Sequence, residues 1–240
     1  QECVINHWIP DGSKEVPVDT LGPRMRLKDS YDQIFAQKLP GVVDAVESKV
    51  FGIGLEAYTV GSHEFYMCYA MSKPEILVTF DTGHFHPTEM VSAKLSSMLT
   101  FKDKLLLHVS RPVRWDSDHV VAFDDETRAI MDEIVRMKAL DRVYIATDYF
   151  DASINRIVAW AVGGRNARKA LLEALLAPVD TMKALEAAGD NSARLAFTQE
   201  YKAAPFALVW DYYCAQKDAG VGLSWLDQVK AYERDVLLTR

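Results

Sequence analysis

Seven residues of the types that bind hard metal ions lie at, or just beyond, the ends of short apolar runs. They are Glu47, Asp81, His84, His108, Asp116, Asp118 and Asp148. Glu47 follows VVDAV, Asp81 follows ILVTF, His108 follows three leucines and Asp148 follows VYIAT. Side chains at the carboxyl ends of successive parallel strands converge at one end of an α/β barrel, where such folds carry out chemistry. The spacing therefore predicts a metal-binding region assembled from several strands.

A single acidic residue at a strand end is more often a helix cap or an ion-pair partner than a metal ligand. Four such positions on four consecutive strands favour ligands, and we predict that they form a first site: Glu47, Asp81, His108 and Asp148. We predict a second site beside it: His84, Asp116 and Asp118. Oxygen and nitrogen donors without sulfur suit Mn²⁺, Mg²⁺, Co²⁺ or Zn²⁺. Two such ions serve either the isomerisation of a sugar or the hydrolysis of an ester, and both chemistries stay open at this point.

Five short apolar or β-branched runs are predicted as the strands that position these residues. They span residues 3–9, 42–46, 75–80, 104–109 and 142–147. Helical patterns lie between them: one opens at Gly22 and Pro23 with Leu27, Tyr31, Ile34 and Phe35 on one face, one spans residues 88–100, and one begins near Asp124. The alternation of strand and helix predicts a parallel sheet with helical crossovers.

From about residue 154 the strand pattern disappears. Five amphipathic stretches follow, punctuated by glycine and proline: INRIVAWAV, RNARKALLEALLAP, SARLAFTQEYKAA, PFALVWDYYCAQ and SWLDQVKAYERDVLL. We therefore expect residues 1–153 to form the barrel part with the metal sites. Residues 154–240 are expected to form a helical extension that serves assembly rather than catalysis.

The composition narrows the classes of partner. The net charge of −7 and the lack of a long basic run argue against nucleic acid or an anionic membrane as a partner. The three cysteines are widely spaced and odd in number, which suits a reducing cytoplasm better than a disulfide framework. No glycine-rich phosphate loop is present, which disfavours the phosphoesterase reading. A neutral small molecule and a divalent cation are the partners that this composition suits.

Several motifs closely resemble the bacterial L-rhamnose isomerases of the enteric type. They are NHWIPDG, VESKVFGIG, EAYTVGS, EFYM, DTGHFHPTE, LLLHVSRPVRWDSDHVV, DDET, DYFDASINRI and LEAAGD, and the likeness extends over nearly the whole chain. The resemblance implies a (β/α)8 TIM barrel of the xylose isomerase-like type. It also implies a cytoplasmic homotetramer with two divalent ions per subunit, Mn²⁺ above all, that converts L-rhamnose to L-rhamnulose.

The same resemblance assigns roles to individual residues. It implies the division of metal ligands given above, with the group of His84 as the catalytic metal site. Lys49 and His84 are placed at the substrate, and Trp8 is part of an apolar wall of its pocket. Asp148 and Lys49 are the catalytic side chains. In the implied mechanism a water or hydroxide steered by Asp148 shuttles a proton between O1 and O2 while a hydride shifts from C2 to C1; an enediol route is the alternative.

Five predicted strands are fewer than the eight of a closed barrel, which takes about 250 residues before any extension. We therefore expect this chain to be the C-terminal part of a longer protein, with the metal ligands but without the first three strands, and expect it to lack a complete active site when alone. The alternative functions are another metal-dependent sugar isomerase or epimerase on the same barrel, a non-catalytic metal-binding fragment and, third, a metal-dependent phosphoesterase.

Overall fold

The structure is a computed structural model that describes residues 2–9, 12–48, 56–86, 88–113 and 117–240. The chain divides into two compact units. The sheet unit comprises residues 1–121 and 137–150, and the helical unit comprises residues 122–136 and 151–240. Lys49 and Asp116, two of the predicted site residues, lie outside the described residues. None of the helices in the described part combines the length and apolar character that a membrane crossing needs.

The sheet unit contains five parallel strands whose order in space follows their order in sequence. They are β1 Cys3–His7, β2 Val42–Glu47, β3 Leu77–Asp81, β4 Leu105–Val109 and β5 Val143–Thr147. The helices of this unit are α1 Leu21–Ile34, α2 His63–Ser72 and α3 Ser92–Leu99, with a 3₁₀ turn at Thr82–His84. All five predicted strands are present, with ends that differ by up to two residues from the predicted ones. The fold is thus α/β, as the sequence predicted.

The two faces of the sheet differ in what covers them. Buried apolar side chains line one face, including Val46, Val78, Phe80, Leu105 and Leu107. The other, which we call the site face, carries a smaller cluster in which Ala45, Leu77 and Leu106 are buried. Val4, Val43, Tyr144 and Ala146 pack against that cluster and are only partly buried. Since side chains alternate along a strand, Glu47 lies on the site face two residues beyond Ala45.

The sheet curls towards its site face. Tyr144 of β5 donates a hydrogen bond to Glu2, which directly precedes β1, and Lys104 Nζ lies 3.1 Å from Tyr144 Oη. In a flat sheet four strand spacings would separate these edges by roughly 19 Å, farther than two side chains reach. The contact therefore requires a curved sheet, as in part of a barrel.

The helical unit contains the remaining helices: α4 Asp125–Arg136, α5 Arg156–Leu176, α6 Val179–Ala187, α7 Asn191–Lys202, α8 Phe206–Gln216, α9 Ser224–Asp235 and a final 3₁₀ turn at Leu237–Thr239. Asn155 begins α5 by accepting a hydrogen bond from the Ile157 amide at 2.8 Å. A buried stripe of small residues runs along α5: Ala159, Gly163, Ala167, Ala170 and Ala174. Small side chains at this spacing let a neighbouring helix approach closely.

Three details of the predicted helices were wrong. The first two predicted stretches after residue 154 form one continuous helix, because Gly163 lies in the small-residue stripe and contributes close packing instead of a break. The segment predicted as a helix over residues 88–100 is helical only at Ser92–Leu99. Ile34 is 51% exposed, although the periodicity placed it on the buried face of α1. Helices α2 and α6 were not identified individually from the sequence.

Candidate metal centre

Four of the predicted ligands meet at the carboxyl edge of the sheet. Glu47 ends β2, Asp81 ends β3, His108 lies in β4 and Asp148 follows β5. One ligand atom of each lies within 4.8 Å of the corresponding atoms of the other three. Asp81 and His108 are register partners on adjacent strands, which explains why residues 27 positions apart converge. The structure therefore brings together the four residues that were predicted as the first site.

The imidazole of His108 lies at the centre of this group. Its Nδ1 is 3.2 Å from Glu47 Oε1, 3.4 Å from Asp148 Oδ2 and 3.7 Å from Asp81 Oδ2. Burial alone would lower the pKa of His108, but the three carboxylates beside it raise it to about 11. The three carboxylates therefore favour a positive charge at this position, either a proton on the imidazole or a metal ion in its place.

The two central carboxylates respond differently to their burial. Burial tends to raise the pKa of Glu47, but the hydrogen bond from His108 and the charges of His108 and His84 bring it below its ordinary value. Burial raises the pKa of Asp81 above its ordinary value in spite of its histidine neighbours. Asp81 thus has less local compensation for its negative charge than Glu47 has.

A second group forms around the 3₁₀ turn that follows β3. Asp81, His84 and Asp118 offer ligand atoms that lie within 4.8 Å of one another. Asp81 belongs to both groups, although the sequence analysis placed it in the first site alone. Asp116, the third predicted ligand of the second site, lies outside the described residues. The two groups therefore meet at one shared carboxylate.

The backbone around the second group leaves room for Asp118. A Cβ at Gly83 would stand 2.7 Å from Asp118 Oδ1 and 3.2 Å from Asp81 Oδ1, so only glycine leaves both carboxylates undisturbed. The Gly83 amide also donates to Asp81 Oδ1 at 2.7 Å. Asp118 itself has a φ of 34°, a left-handed conformation that is uncommon for residues other than glycine and that often occurs at functional sites.

The donor set fits a divalent cation. Oδ2 of Asp81 is buried and accepts no hydrogen bond from the described residues. A buried carboxylate oxygen without a donor is costly, and a bound cation would remove that cost. Carboxylate and imidazole donors without sulfur are those of Mn²⁺, Mg²⁺, Co²⁺ or Zn²⁺ sites. The described ligands could therefore hold one ion between Glu47, Asp81, His108 and Asp148, and another beside Asp81, His84 and Asp118.

The site is buried on one side and open on the other. Glu47 is 2% exposed and Asp81 is 1% exposed, whereas the Asp148 side chain is 56% exposed. Trp8, the predicted apolar wall, is 42% exposed and directly follows the last residue of β1. A small molecule could reach the ligand groups from the open side, where Asp148 lies.

Two residues that were not predicted from the sequence, Asn6 and Thr79, form a chain of hydrogen bonds that ends at Glu47. Asn6 of β1 donates a hydrogen bond to Glu47 Oε2, and Thr79 of β3 donates one to Asn6 Oδ1 at 2.7 Å. The sequence contained a signal for both: each is a polar residue two positions before a predicted site residue, Trp8 or Asp81, and so shares its face of the strand.

Comparison with known proteins identifies the family. The family model described as L-rhamnose isomerase (RhaA) matches residues 1–240. Proteins named L-rhamnose isomerase from Salmonella newport, Salmonella paratyphi B and Salmonella typhimurium are each 55% identical to this chain over 239 residues. The matches cover 99% of this chain and 57% of each relative, so the chain spans little more than half of their length. The chain belongs to the L-rhamnose isomerase family.

Proposed function

We propose that this chain carries the metal-binding apparatus of an enzyme that interconverts L-rhamnose and L-rhamnulose. The observation that carries the proposal is the pair of ligand groups that meet at Asp81, in a chain matched by the L-rhamnose isomerase family over its whole length. Aldose–ketose isomerisation moves a hydrogen from one carbon atom to its neighbour. Two adjacent divalent ions suit the oxygens on those two carbon atoms.

The proposed ions are Mn²⁺, with Zn²⁺, Co²⁺ or Mg²⁺ as alternatives in one site. The first would be held by Glu47, Asp81, His108 and Asp148. The second would be held by His84, Asp118 and, outside the described residues, Asp116, with Asp81 available to both. When bound, such ions polarise the carbonyl oxygen and stabilise negative charge on O1 and O2.

The chain's own residues bind the open-chain sugar and move its protons. The exposed Asp148 carboxylate steers the O2 proton towards O1, while hydrogen passes as a hydride from C2 to C1. This sequence is balanced, because the aldehyde carbon gains a hydrogen and the alcohol carbon becomes the ketone. We assign Trp8 to the apolar side of the deoxy sugar, and His84 and, outside the described residues, Lys49 to its polar side.

The remaining parts of the proposal concern the whole protein. The curved five-stranded sheet supports an incomplete (β/α)8 barrel of the xylose isomerase-like type, made by residues 1–153. We propose that residues 154–240 serve assembly into a homotetramer. A cytoplasmic location suits the free thiols of Cys3 and Cys68, which are both exposed.

The test is ketose formation from L-rhamnose with added Mn²⁺. Because the chain spans 57% of its relatives' length, the assay includes this chain and the longest reading frame that contains it. We expect activity in the longer form, and its loss in Asp148→Asn. If L-lyxose or L-mannose were turned over faster, that sugar would be assigned as the substrate instead of L-rhamnose. The shape of the pocket, and not the metals, sets the sugar preference. Metal binding without turnover of any sugar would contradict the isomerase and favour a non-catalytic metal-binding role.

A further inference from the structure

We propose that Thr79 and Asn6 act as positioning residues that select which oxygen of Glu47 faces the metal ions. This inference rests on the proposed metal-binding function. It assigns a role to β1, which contributes no member of either ligand group in the described chain. The three residues form a chain of hydrogen bonds that crosses β1, β2 and β3.

The direction of each hydrogen bond follows from the chemistry of the groups. The carboxylate of Glu47 can only accept, so the Asn6 amide nitrogen must face it. That orientation turns Asn6 Oδ1 away from Glu47, and the Thr79 hydroxyl donates to it at 2.7 Å. The reverse orientation of the amide would place two oxygens against each other at Glu47 and would lose that hydrogen bond, while the Thr79 hydroxyl could still accept one from the amide nitrogen. The carboxylate thus sets the orientation of the amide, and the hydrogen bond from Thr79 holds the amide in place against Glu47.

The consequence concerns the other oxygen of Glu47. With Oε2 bound to Asn6, Oε1 faces the two histidines, 3.2 Å from His108 Nδ1 and 3.6 Å from His84 Nδ1. With Oε2 held by Asn6, Oε1 would be the oxygen that Glu47 offers to a bound ion. A carboxylate that could rotate would bind with both oxygens or withdraw from the ion.

The sheet explains why this chain of contacts forms. Strands β1 and β3 are the two neighbours of β2, and Thr79 is the register partner of Glu47. Asn6 pairs with Ala45, two residues before Glu47 on the same face of β2. Thr79 and Glu47 are both buried and Asn6 is partly buried, so the two ends of the relay are protected from competition by water. Its donors are thus built into rigid strands on both sides of the ligand.

The test compares Thr79→Val, which removes the hydroxyl at nearly constant shape, with Thr79→Ser, which restores it. We expect Thr79→Val to bind Mn²⁺ and Co²⁺ about 10–100-fold more weakly, the range typical of groups that orient metal ligands. Thr79→Ser should bind within about two-fold of the parent. The visible absorption of the Co²⁺ form should change in Thr79→Val, since a freed carboxylate alters the number of donors, and should be restored in Thr79→Ser. Asn6→Asp, which places an oxygen against Glu47 permanently, should lose more affinity than Thr79→Val.

The outcomes separate this inference from the proposed function. If the parent chain binds no divalent ion at this site, the proposed function and this inference both fail. If the parent binds and Thr79→Val shows the same affinity and the same Co²⁺ spectrum, the positioning role alone is overturned. A Thr79→Val variant that melts earlier but binds the ions as the parent does would also overturn it, because its hydroxyl would then serve only stability.

Discussion

Buried charge is handled in two different ways in the two units of this molecule. In the helical unit, Glu173 is buried and Arg128 contacts both of its oxygens, from Nε at 3.0 Å and from the terminal nitrogen. In the sheet unit, Glu47 and Asp81 are buried beside the carboxylate of Asp148, and imidazoles of the described residues contact these carboxylates. One buried carboxylate has a permanent cation, and the other group has an excess of carboxylates.

The difference separates a structural ion pair from a binding site. A guanidinium stays charged at every relevant pH, so the Arg128–Glu173 pair is complete within the fold. Among the described residues, the carboxylates of the two ligand groups outnumber their histidines, and a bound cation would compensate the excess negative charge. Loss of a charged side chain should therefore have different consequences in the two regions. In the helical unit it should lower stability, and in the sheet unit it should weaken metal binding.

The largest effect is expected for Asp81→Asn, because Asp81 belongs to both ligand groups. We expect it to abolish measurable binding of Mn²⁺ and ketose formation by the enzyme. The metal-free variant should melt at or above the parent's temperature, since burial disfavours the charge that the substitution removes. Excess Mn²⁺ should raise the melting temperature of the parent and not that of the variant.

Asp44→Asn is the matched control for that experiment. Asp44 is a β2 carboxylate that pairs with His7 at 2.9 Å and belongs to neither ligand group. It should bind metal as the parent does. If Asp44→Asn and Asp81→Asn lowered the affinity for Mn²⁺ equally, the effect of Asp81→Asn would come from the loss of negative charge in general and not from the loss of a ligand.

The next effect is the loss of stability on Arg128→Met. Removing one partner of a buried ion pair leaves an uncompensated charge and typically costs about 3–5 kcal/mol of unfolding free energy. The double variant Arg128→Met with Glu173→Leu should recover most of that loss, because replacing the whole pair by apolar groups is often neutral. Chemical denaturation of the parent, the two single variants and the double variant measures these changes in unfolding free energy. An affinity for Mn²⁺ that changed in any of them would contradict the structural role of the pair.

The sequence predicted the sheet more accurately than the helices, for a physical reason. Short runs such as VVDAV and VYIAT are rich in β-branched or apolar residues and too short to predict a helix. A polar candidate ligand directly follows each of them. Helix α5 was divided wrongly at Gly163, because the small-residue stripe that makes glycine favourable there involves tertiary packing. Local periodicity does not contain that information.

The sequence predicted which of the candidate ligands lie together better than it predicted how they are connected. The strand-end rule found Glu47, Asp81, His108 and Asp148, because parallel pairing brings strand ends together. It did not find that Asp81 is shared between the groups, since this depends on the turn at Thr82–His84. The contribution of Asn6 was also missed, because amides in strands rarely indicate a site without their three-dimensional partners.

A smaller effect is expected for Gly83→Ala, which disturbs the second ligand group more than the first. The added Cβ would stand 2.7 Å from Asp118 Oδ1, so the Asp118 side chain must move. We expect about 10-fold weaker binding of one of two Mn²⁺ ions, comparable to other changes in groups that orient ligands. Calorimetric titration should show one site that is weakened and one that is affected less. Gly164→Ala, where a Cβ would meet nothing within 4 Å, is the control.

The smallest effect concerns a third way to bury a titratable group, which is to keep it neutral. Burial lowers the pKa of His63, whose ring packs 5.4 Å from Phe85 and lies 3.2 Å from the Ser48 hydroxyl. Below its ordinary pKa of about 6.5, the unfolded chain therefore binds a proton before the folded chain does, and stability falls as the pH falls. His63→Gln cannot titrate, so its unfolding free energy should decrease less than the parent's between pH 7.5 and pH 5.5. Equal decreases in the two proteins would show that His63 does not contribute to the acid sensitivity, and that carboxylates such as those of the metal centre dominate it.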